Sequence, residues 1–274
     1  MRNLLEHYHM IVAQHRGSSQ GKGKAVTISR QTSGKTMTTQ QDEKLRSLED
    51  YSACDISDAL LKLESSNGIP CAGFLADIVP FSPYPGREDQ PRVVGYASTF
   101  KFAPKREPLP AEACHEGKGI PPGTHWVDST LPNTIVLIDQ PDGQKCAALG
   151  GIMATRMKIL GAKAAIVNGR VRDLGELRSL SFPVWARATS TVGTNAESKP
   201  ALRNVTITIG ACSVSPGDIV VCDPLDGVVV IPNALLDDVL LLLPKLVEAD
   251  SKVKEDVMAG ATVFDAFQKH RGKN

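Results

Sequence analysis

The segment from residue 134 to residue 173 constrains the fold of this chain more than any other. Thr134–Ile138 is a continuous apolar run of the kind that forms a strand buried on both faces. Residues 146–160 then predict a helix that Gly161 ends, and Ala164–Val167 is a second apolar run. Strand, helix and strand in about thirty residues make a right-handed βαβ unit, so we expect a parallel sheet.

Apolar segments on both sides of this unit predict the rest of the fold. Further strands are expected at Val93–Phe102, Pro183–Ala188, Val205–Ile209, Ile219–Cys222 and Val228–Ile231. A helix is expected to open at the N-cap Ser52, and a helical arm follows Asn233, where Pro244 should kink or divide it. The predicted fold class is therefore α/β, with a mixed sheet packed by helices in one domain and a C-terminal helical arm.

Charge and hydropathy exclude several classes of function. The formal net charge is +1, so no overall field favours nucleic acid or an anionic membrane. The longest apolar run, Val239–Leu243, is far shorter than the roughly 20 residues that span a bilayer. We therefore expect no nucleic-acid partner, no membrane partner and a cytoplasmic location.

The first forty residues differ in composition from the rest of the chain. Their one acid is Glu6, and their basic residues are Arg2, Arg16, Lys22, Lys24, Arg30 and Lys35. Such a stretch buries too little apolar surface to order itself. We predict a disordered basic extension over residues 1–40 and a folded domain over 41–274 that includes the C-terminal helices, 233–270. A mitochondrial presequence is the alternative interpretation of the extension, since it contains Arg and Ser and almost no acid.

Two groups of residues flank the predicted helix of the βαβ unit and suggest a binding site. Gly150 and Gly151 permit an anion to approach the backbone, where first-turn N–H groups point at it. Arg172 offers a planar fork for a carboxylate or enolate oxygen, and Asp173 is a hard oxygen ligand for Mg²⁺ or Mn²⁺. The alternative interpretation is purely structural: the glycines allow a tight entry to the helix, while Asp173 caps a short helix over Leu174–Ser179.

Residues 103–126 are rich in Pro, Gly and charge and predict a long surface loop. His115, His125 and Asp128 lie in or beside it, and no partner stands at metal-ligand spacing. Histidines in such a position are more often surface residues than ligands.

The string from Gly150 to Asp173, GGIMATRMKILGAKAAIVNGRVRD, resembles the signature of the regulator of ribonuclease activity A-like family, which includes the 4-hydroxy-4-methyl-2-oxoglutarate aldolases. Pro216–Pro232 resembles the family's closing hairpin, and the similarity extends from about Leu45 to Phe267. Residues 123–126 and 185–191 are most similar to fungal-type members. The resemblance implies an αββα sandwich of the swivelling β/β/α type, assembled as a homotrimer or hexamer with sites at subunit interfaces.

The resemblance also implies a function for the site. It implies a class II pyruvate aldolase and oxaloacetate decarboxylase, a divalent-metal-dependent lyase that cleaves a C–C bond in 2-oxo acids through a metal-stabilised pyruvate enolate. Arg172 is then catalytic and binds substrate, and Asp173 holds Mg²⁺ or Mn²⁺. The other substrate-binding residues are Gly150, Gly151, Ile152 and Met153. Residues 41–274 are, on this view, an aldolase-like catalytic domain.

The chain departs from the family's pattern at two positions. Asn168 stands where many members have Asp, and Gly151 stands where several bacterial aldolases have an acid. Glu248 or Glu255 is a candidate for a glutamate that some members supply from a neighbouring subunit.

Three other functions remain open. They are a Schiff-base aldolase using Lys163 or Lys145, a non-catalytic protein-binding regulator, and a specialised biosynthetic lyase for a larger 2-oxo acid.

Overall fold

The computed structural model describes residues 33–67, 70–83 and 90–272. Residues 1–32 lie outside the described residues, so the prediction of a disordered extension stays a prediction. The chain divides into two units, Met1–Thr39 and Gln40–Asn274, and the architecture below is that of the second.

Helices and strands alternate through the middle of the chain. The helices are α1 Ser33–Ser47, α2 Ala53–Asn67, α3 Gly151–Ile159, α4 Leu174–Ser179, α5 Leu236–Met258 and α6 Val263–Arg271. The first strands are β1 Val79–Ser82, β2 Val93–Pro104, β3 Thr134–Asp139, β4 Ala164–Val171 and β5 Val184–Thr189. The later strands are β6 Ser198–Arg203, β7 Ile207–Ile209, β8 Cys212–Val214, β9 Ile219–Asp223 and β10 Gly227–Ile231. In the described part of the chain, no helix is both long enough and apolar enough to cross a membrane.

One mixed sheet organises the domain. Its order is β1-β5-β4-β3-β2-β9-β10, and β6 pairs with β2 beside this path. Strands β2, β3, β4 and β5 run parallel to one another. Strand β1 pairs antiparallel with β5, β6 and β9 pair antiparallel with β2, and β10 pairs antiparallel with β9. The two end strands of this order, β1 and β10, also contact each other, so the sheet curls almost into a barrel. Strands β7 and β8 form a separate hairpin.

The predicted βαβ unit is present as β3, α3 and β4. Alternate residues of β3 enter different cores, with Val136 and Ile138 on one face and Ile135 and Leu137 on the other. This is the burial on both faces that the continuous apolar run predicted.

The helix of this unit begins later than predicted. Residues 146–149 are predicted to be helical, but they form an irregular, buried segment with one β-bridge at Leu149. Ala148 N–H donates to Arg170 O at the end of β4, 2.8 Å. Periodicity does not fix the conformation of so short an apolar run, and here the pairing with the end of β4 replaces the helix. The end of the helix was predicted correctly, since Gly161 follows it with φ +87°.

Helices cover the curled sheet on two sides. One core lies between the sheet and α3 with α4, a second lies inside the curl, and a third lies under α2 and α5. This layering confirms the predicted α/β class and the C-terminal helical arm.

The ends of the chain's helices agree with the sequence in part. Ser52 and Asp55 cap α2 as predicted, since Asp55 N–H donates to Ser52 Oγ, 3.1 Å. Pro244 does not divide α5, which continues through it as one helix. Pro244 is exposed, and because proline has no N–H it cannot donate to the carbonyl of Leu240 one turn earlier.

Candidate active site

The residues singled out by sequence lie together where the parallel strands end. Arg172 and Asp173 directly follow β4, and Gly150 immediately precedes α3. Leu149 bridges to Val171, which holds the two segments side by side. Ligands of open α/β folds commonly bind at such carboxyl ends of strands.

The Asp173 side chain bonds to a different helix from its own. Asp173 occupies the N-cap position of α4 with φ +59°, but its side chain makes no capping hydrogen bond there. Its Oδ2 instead accepts the N–H of Gly151 at the start of α3, 3.1 Å away. A left-handed conformation costs a non-glycine residue roughly 1–3 kcal/mol and is concentrated at functional sites. Simple capping therefore does not explain this aspartate.

Both glycines lie in close contact with carboxylates. A Cβ on Gly150 would lie 2.6 Å from Asp173 Oδ2, and a Cβ on Gly151 would lie 1.9 Å from Glu176 Oε2. The start of α3 is thus in contact with two acidic side chains. Sequence analysis missed Glu176, although its position three residues after Asp173 places it on the same side of the turn.

Arg172 lies over a second loop. Its Nε is 3.4 Å from Asp173 Oδ2, and its Nη1 is 2.9 Å from the position that a Cβ on Gly193 would occupy. The guanidinium is therefore held between Asp173 and the loop that follows β5. Its side chain is still 41% exposed, which leaves donors available to a ligand.

An open cavity of about 750 Å³ lies over these residues. Its walls come from the start of α3, from residues 192–196 and from the end of the long loop, including His125 and Trp126. His115 is not among the lining residues, and Asp128 pairs with Arg156 Nε, 2.7 Å. The size is within the range of about 300–1,000 Å³ that is typical of small-molecule sites.

Glu197 holds the irregular segment, residues 145–149, that leads into the site. Its Oε2 accepts the N–H groups of Lys145, 2.6 Å, and Cys146, 2.8 Å. These backbone hydrogen bonds, Cys146 first, lower the pKa of the Glu197 carboxyl below its usual value. Thr194 Oγ1 donates to Ala147 O, 2.6 Å, so two residues of one loop position the same segment.

The donor set fits a divalent cation held through one protein carboxylate. Magnesium is usually bound by one or two carboxylates with water in the remaining positions. Asp173 is the acidic residue that lines the cavity, and its side chain is 35% exposed. Within residues 33–67, 70–83 and 90–272, no group of three or more His, Cys, Asp or Glu side chains is arranged as a metal cage.

The remaining candidates lie away from the cavity. Lys163 Nζ donates to Val94 O, 2.7 Å, and neither Lys163 nor Lys145 lines the cavity. Asn168 is buried in a separate polar network. Its Nδ2 donates to Asp139 Oδ1, 2.8 Å, and its Oδ1 accepts the N–H of Arg187 Nε, 2.5 Å. Glu248 pairs with Lys252 on the outside of α5, 2.6 Å. Neither Asn168 nor Glu248 touches Arg172 within this chain.

A protein-family profile named RraA-like, described as Aldolase/RraA, matches residues 53–230. Protein DlpA of Legionella pneumophila is 25% identical over 81% of this chain and 33% of its own length. A Halalkalibacterium halodurans protein, provisionally named 4-hydroxy-4-methyl-2-oxoglutarate aldolase, is 32% identical over 45% of this chain and 58% of its own length. The chain thus covers between a third and about three fifths of these two relatives.

Solved structures share the fold. An uncharacterized protein from Pseudomonas syringae superposes with a TM-score of 0.63 at 22% identity, covering 82% of this chain and 96% of the other. Streptomyces coelicolor RraAS2, described as an unusual member of the RNase ES inhibitor RraA protein family, gives 0.58 at 24% identity, covering 80% and 96%.

Proposed function

Because this chain belongs to the RraA-like (Aldolase/RraA) family, we propose that it is a divalent-metal-dependent lyase that cleaves a C–C bond in pyruvate-type 2-oxo acids. The observation that carries the proposal is the Asp173 carboxylate. It is held in a strained backbone conformation, turned away from its own helix and exposed beside Arg172 in a cavity. Structural packing alone does not require this arrangement.

Substrate binding is assigned to the start of α3 and to Arg172. The amides of Ile152 and Met153 belong to the first helical turn, where N–H groups lack a carbonyl of a preceding turn. These amides hold the substrate carboxylate, since helix N-termini favour anions. Gly151 N–H already donates to Asp173 Oδ2, so it orients the side chain of Asp173 and does not bind the substrate.

Arg172 stabilises the charge that develops during cleavage. When the C–C bond breaks, negative charge builds on the 2-oxo oxygen, and guanidinium N–H groups donate to that oxygen. Asp173 would hold a Mg²⁺ or Mn²⁺ ion, which when bound would supply Lewis-acid polarisation of the 2-oxo group. Glu176 lies against Gly151, beside this site, and is the carboxylate that we assign to proton transfer through water.

The reactions proposed are retro-aldol cleavage of 4-hydroxy-4-methyl-2-oxoglutarate to pyruvate and decarboxylation of oxaloacetate. Both leave an electron pair on the carbon next to the 2-oxo group, so one arrangement of donors serves both. Assembly as a homotrimer or hexamer is part of the proposal, and the resemblance to the aldolase members of the family supports it.

The test is pyruvate release by the metal-stripped protein with and without added Mg²⁺ or Mn²⁺. We expect metal-dependent release above the background of the free ion, and a loss of at least about a hundredfold in kcat for Asp173→Ala. Asp237→Ala is the control, since it removes an exposed carboxylate on α5 outside the cavity. Undiminished turnover in Asp173→Ala would exclude Asp173 from the mechanism, and no release from either substrate would favour a regulatory binding role.

A further inference from the structure

The Arg172 side chain lies in a slot between two glycines, Gly150 and Gly193. A Cβ on Gly150 would be 3.1 Å from Arg172 Nε and 3.2 Å from its Cγ. A Cβ on Gly193 would be 2.9 Å from Arg172 Nη1 and 3.6 Å from its Cζ. Gly150 therefore packs against the stem of the side chain, and Gly193 packs against the guanidinium group. Both contacts are made by the backbone of this chain.

Hydrogen bonds within the chain do not fix the guanidinium group. Among the residues that the structure describes, none accepts a hydrogen bond from Arg172 Nη1 or Nη2, and Asp173 Oδ2 lies 3.4 Å from Nε. The position of the group thus depends on packing in the slot, which leaves its Nη donors to a ligand. Donors that are already in place when charge develops need no reorganisation during the reaction.

Gly193 is held by bonds from both of its chain neighbours to one buried residue. Val192 O accepts the N–H of Ala147, 2.8 Å, and Thr194 Oγ1 donates to Ala147 O, 2.6 Å. Gly193 lies between these two bonds. The backbone of Ala147 therefore sets how far Gly193 stands from the segment before α3.

The opposite wall of the slot belongs to the same framework. The segment that contains Ala147 leads directly into Gly150, and its Leu149 O accepts the N–H of Arg172, 3.0 Å. Glu197 Oε2 holds the start of this segment through two N–H groups. The two glycines and the backbone of Arg172 are therefore fixed relative to one another by contacts within one chain.

The backbone at Gly193 does not itself require glycine. Its φ of −75° and ψ of 157° lie in the extended region that residues with a side chain adopt readily. The three atoms nearest to an added Cβ, however, all belong to the guanidinium group of Arg172. The lack of a side chain at this position therefore makes room for Arg172 and does not serve a turn.

Resting on the proposed lyase function, we propose that Gly193 is a positioning residue for Arg172 and that Thr194 acts with it by binding the loop to Ala147. The slot directs the guanidinium donors to the 2-oxo oxygen, where negative charge develops as the C–C bond breaks. Neither residue has to touch the substrate in this role. A displacement of about 1 Å in such a group can lower the rate about a hundredfold.

The first test is Gly193→Ala in the full chain, with Mg²⁺ and oxaloacetate. The added methyl displaces the guanidinium, so we expect kcat to fall at least about tenfold, KM to change by less than about twofold and Tm not to fall. Gly175→Ala is the control with wild-type kcat, since no heavy atom lies within 4 Å of its added Cβ. In an Arg172→Lys background, which lacks the atom that Gly193 contacts, Gly193→Ala should cause no further loss of kcat.

The second test separates the hydroxyl of Thr194 from its volume. Thr194→Val keeps the shape and loses the bond to Ala147, so kcat should fall at least about fivefold, whereas Thr194→Ser keeps the hydroxyl and should retain most of the activity. Thr134→Val is the matched control, because it removes a bond from a threonine hydroxyl to a backbone carbonyl, 2.8 Å, at the start of β3. Thr134 does not line the cavity, so this variant should have wild-type kcat.

The outcomes distinguish positioning from other roles. Wild-type kcat in Gly193→Ala would overturn the inference and leave the lyase function standing. A further loss of kcat when Gly193→Ala is added to Arg172→Lys would show that the methyl obstructs the substrate directly, which would also overturn it. No pyruvate release from either proposed substrate by the wild-type protein would refute the lyase function and this inference with it. If Thr194→Val fails to fold, the Gly193→Ala series alone decides.

Discussion

Asp173 shows how one residue brings the site together. It accepts a hydrogen bond from the first residue of α3, lies close to Arg172 Nε and excludes any side chain at Gly150. Its left-handed backbone costs energy that the surrounding contacts must offset. Such a residue is sensitive to displacement by its neighbours, because catalysis depends on positions accurate to less than an ångström.

We expect Gly150→Ala to lower kcat by about a hundredfold while the fold remains intact. The new methyl would lie 2.6 Å from Asp173 Oδ2 and displace the carboxylate. Gly175→Ala is the matched control, since no heavy atom lies within 4 Å of its added Cβ and it sits inside α4. That control should be neutral or stabilising by up to about 1 kcal/mol in thermal unfolding. Wild-type kcat in Gly150→Ala would mean that the position of Asp173 is not critical.

At the level of elements, the irregular segment before α3 determines where the helix begins. Residues 146–149 pair with the end of β4 instead of adding a turn to α3, and Glu197 accepts two of the N–H groups at their start. This arrangement makes Gly150–Met153 the N-terminus of a helix that begins beside Arg172. A helix that began at residue 146 would bury these amides in its own hydrogen bonds.

The contribution of Glu197 should depend on pH. Its pKa in the folded protein is lowered, so the carboxylate stabilises the fold above the pKa of a free glutamate, and this stabilisation is lost as pH falls through the folded-state pKa. We expect Glu197→Gln to lower Tm at neutral pH, with the difference shrinking towards acidic pH. Glu43→Gln, an exposed acid on α1, is the control. A Tm difference that persists unchanged in acid would show that charge on Glu197 is not responsible.

At the scale of the whole molecule, the end of α1 contributes a buried residue to the domain. Leu45 is buried in the core under α2 and α5, whereas the preceding residues of α1 from Gln40 onward are exposed or partly exposed. The site itself lies at the other face of the sheet, in contact with α3 and α4. We therefore propose that the chain before α1 plays no part in catalysis.

Deleting residues 1–32 should leave kcat and Tm unchanged. Deleting residues 1–47 removes Leu45 from the core and should reduce the free energy of unfolding by about 2–5 kcal/mol. Circular dichroism melting and the pyruvate assay measure the two quantities. An inactive but folded protein lacking residues 1–32 would refute the assignment of that segment as a dispensable extension.

Much of the fold follows from local sequence. The apolar run at Thr134–Ile138 identified a strand buried on both faces, and Gly161 identified the end of the following helix. Short strands were harder to predict: β1, β6 and β8 were missed, and residues 146–149 were assigned to a helix. These segments owe their conformation to partners distant in the chain, which local propensity does not represent.

The amino-acid sequence by itself determined the βαβ unit, the order of its main elements and the grouping of Gly150, Arg172 and Asp173 at the ends of its strands. These depend on residue periodicity and on turn residues, which act over a few positions. Only the tertiary structure decided that Asp173 bonds to α3, that Glu176 packs on Gly151, and that the long loop brings Trp126 to the cavity. Each of these contacts joins residues from different elements, so each is determined by how the elements pack.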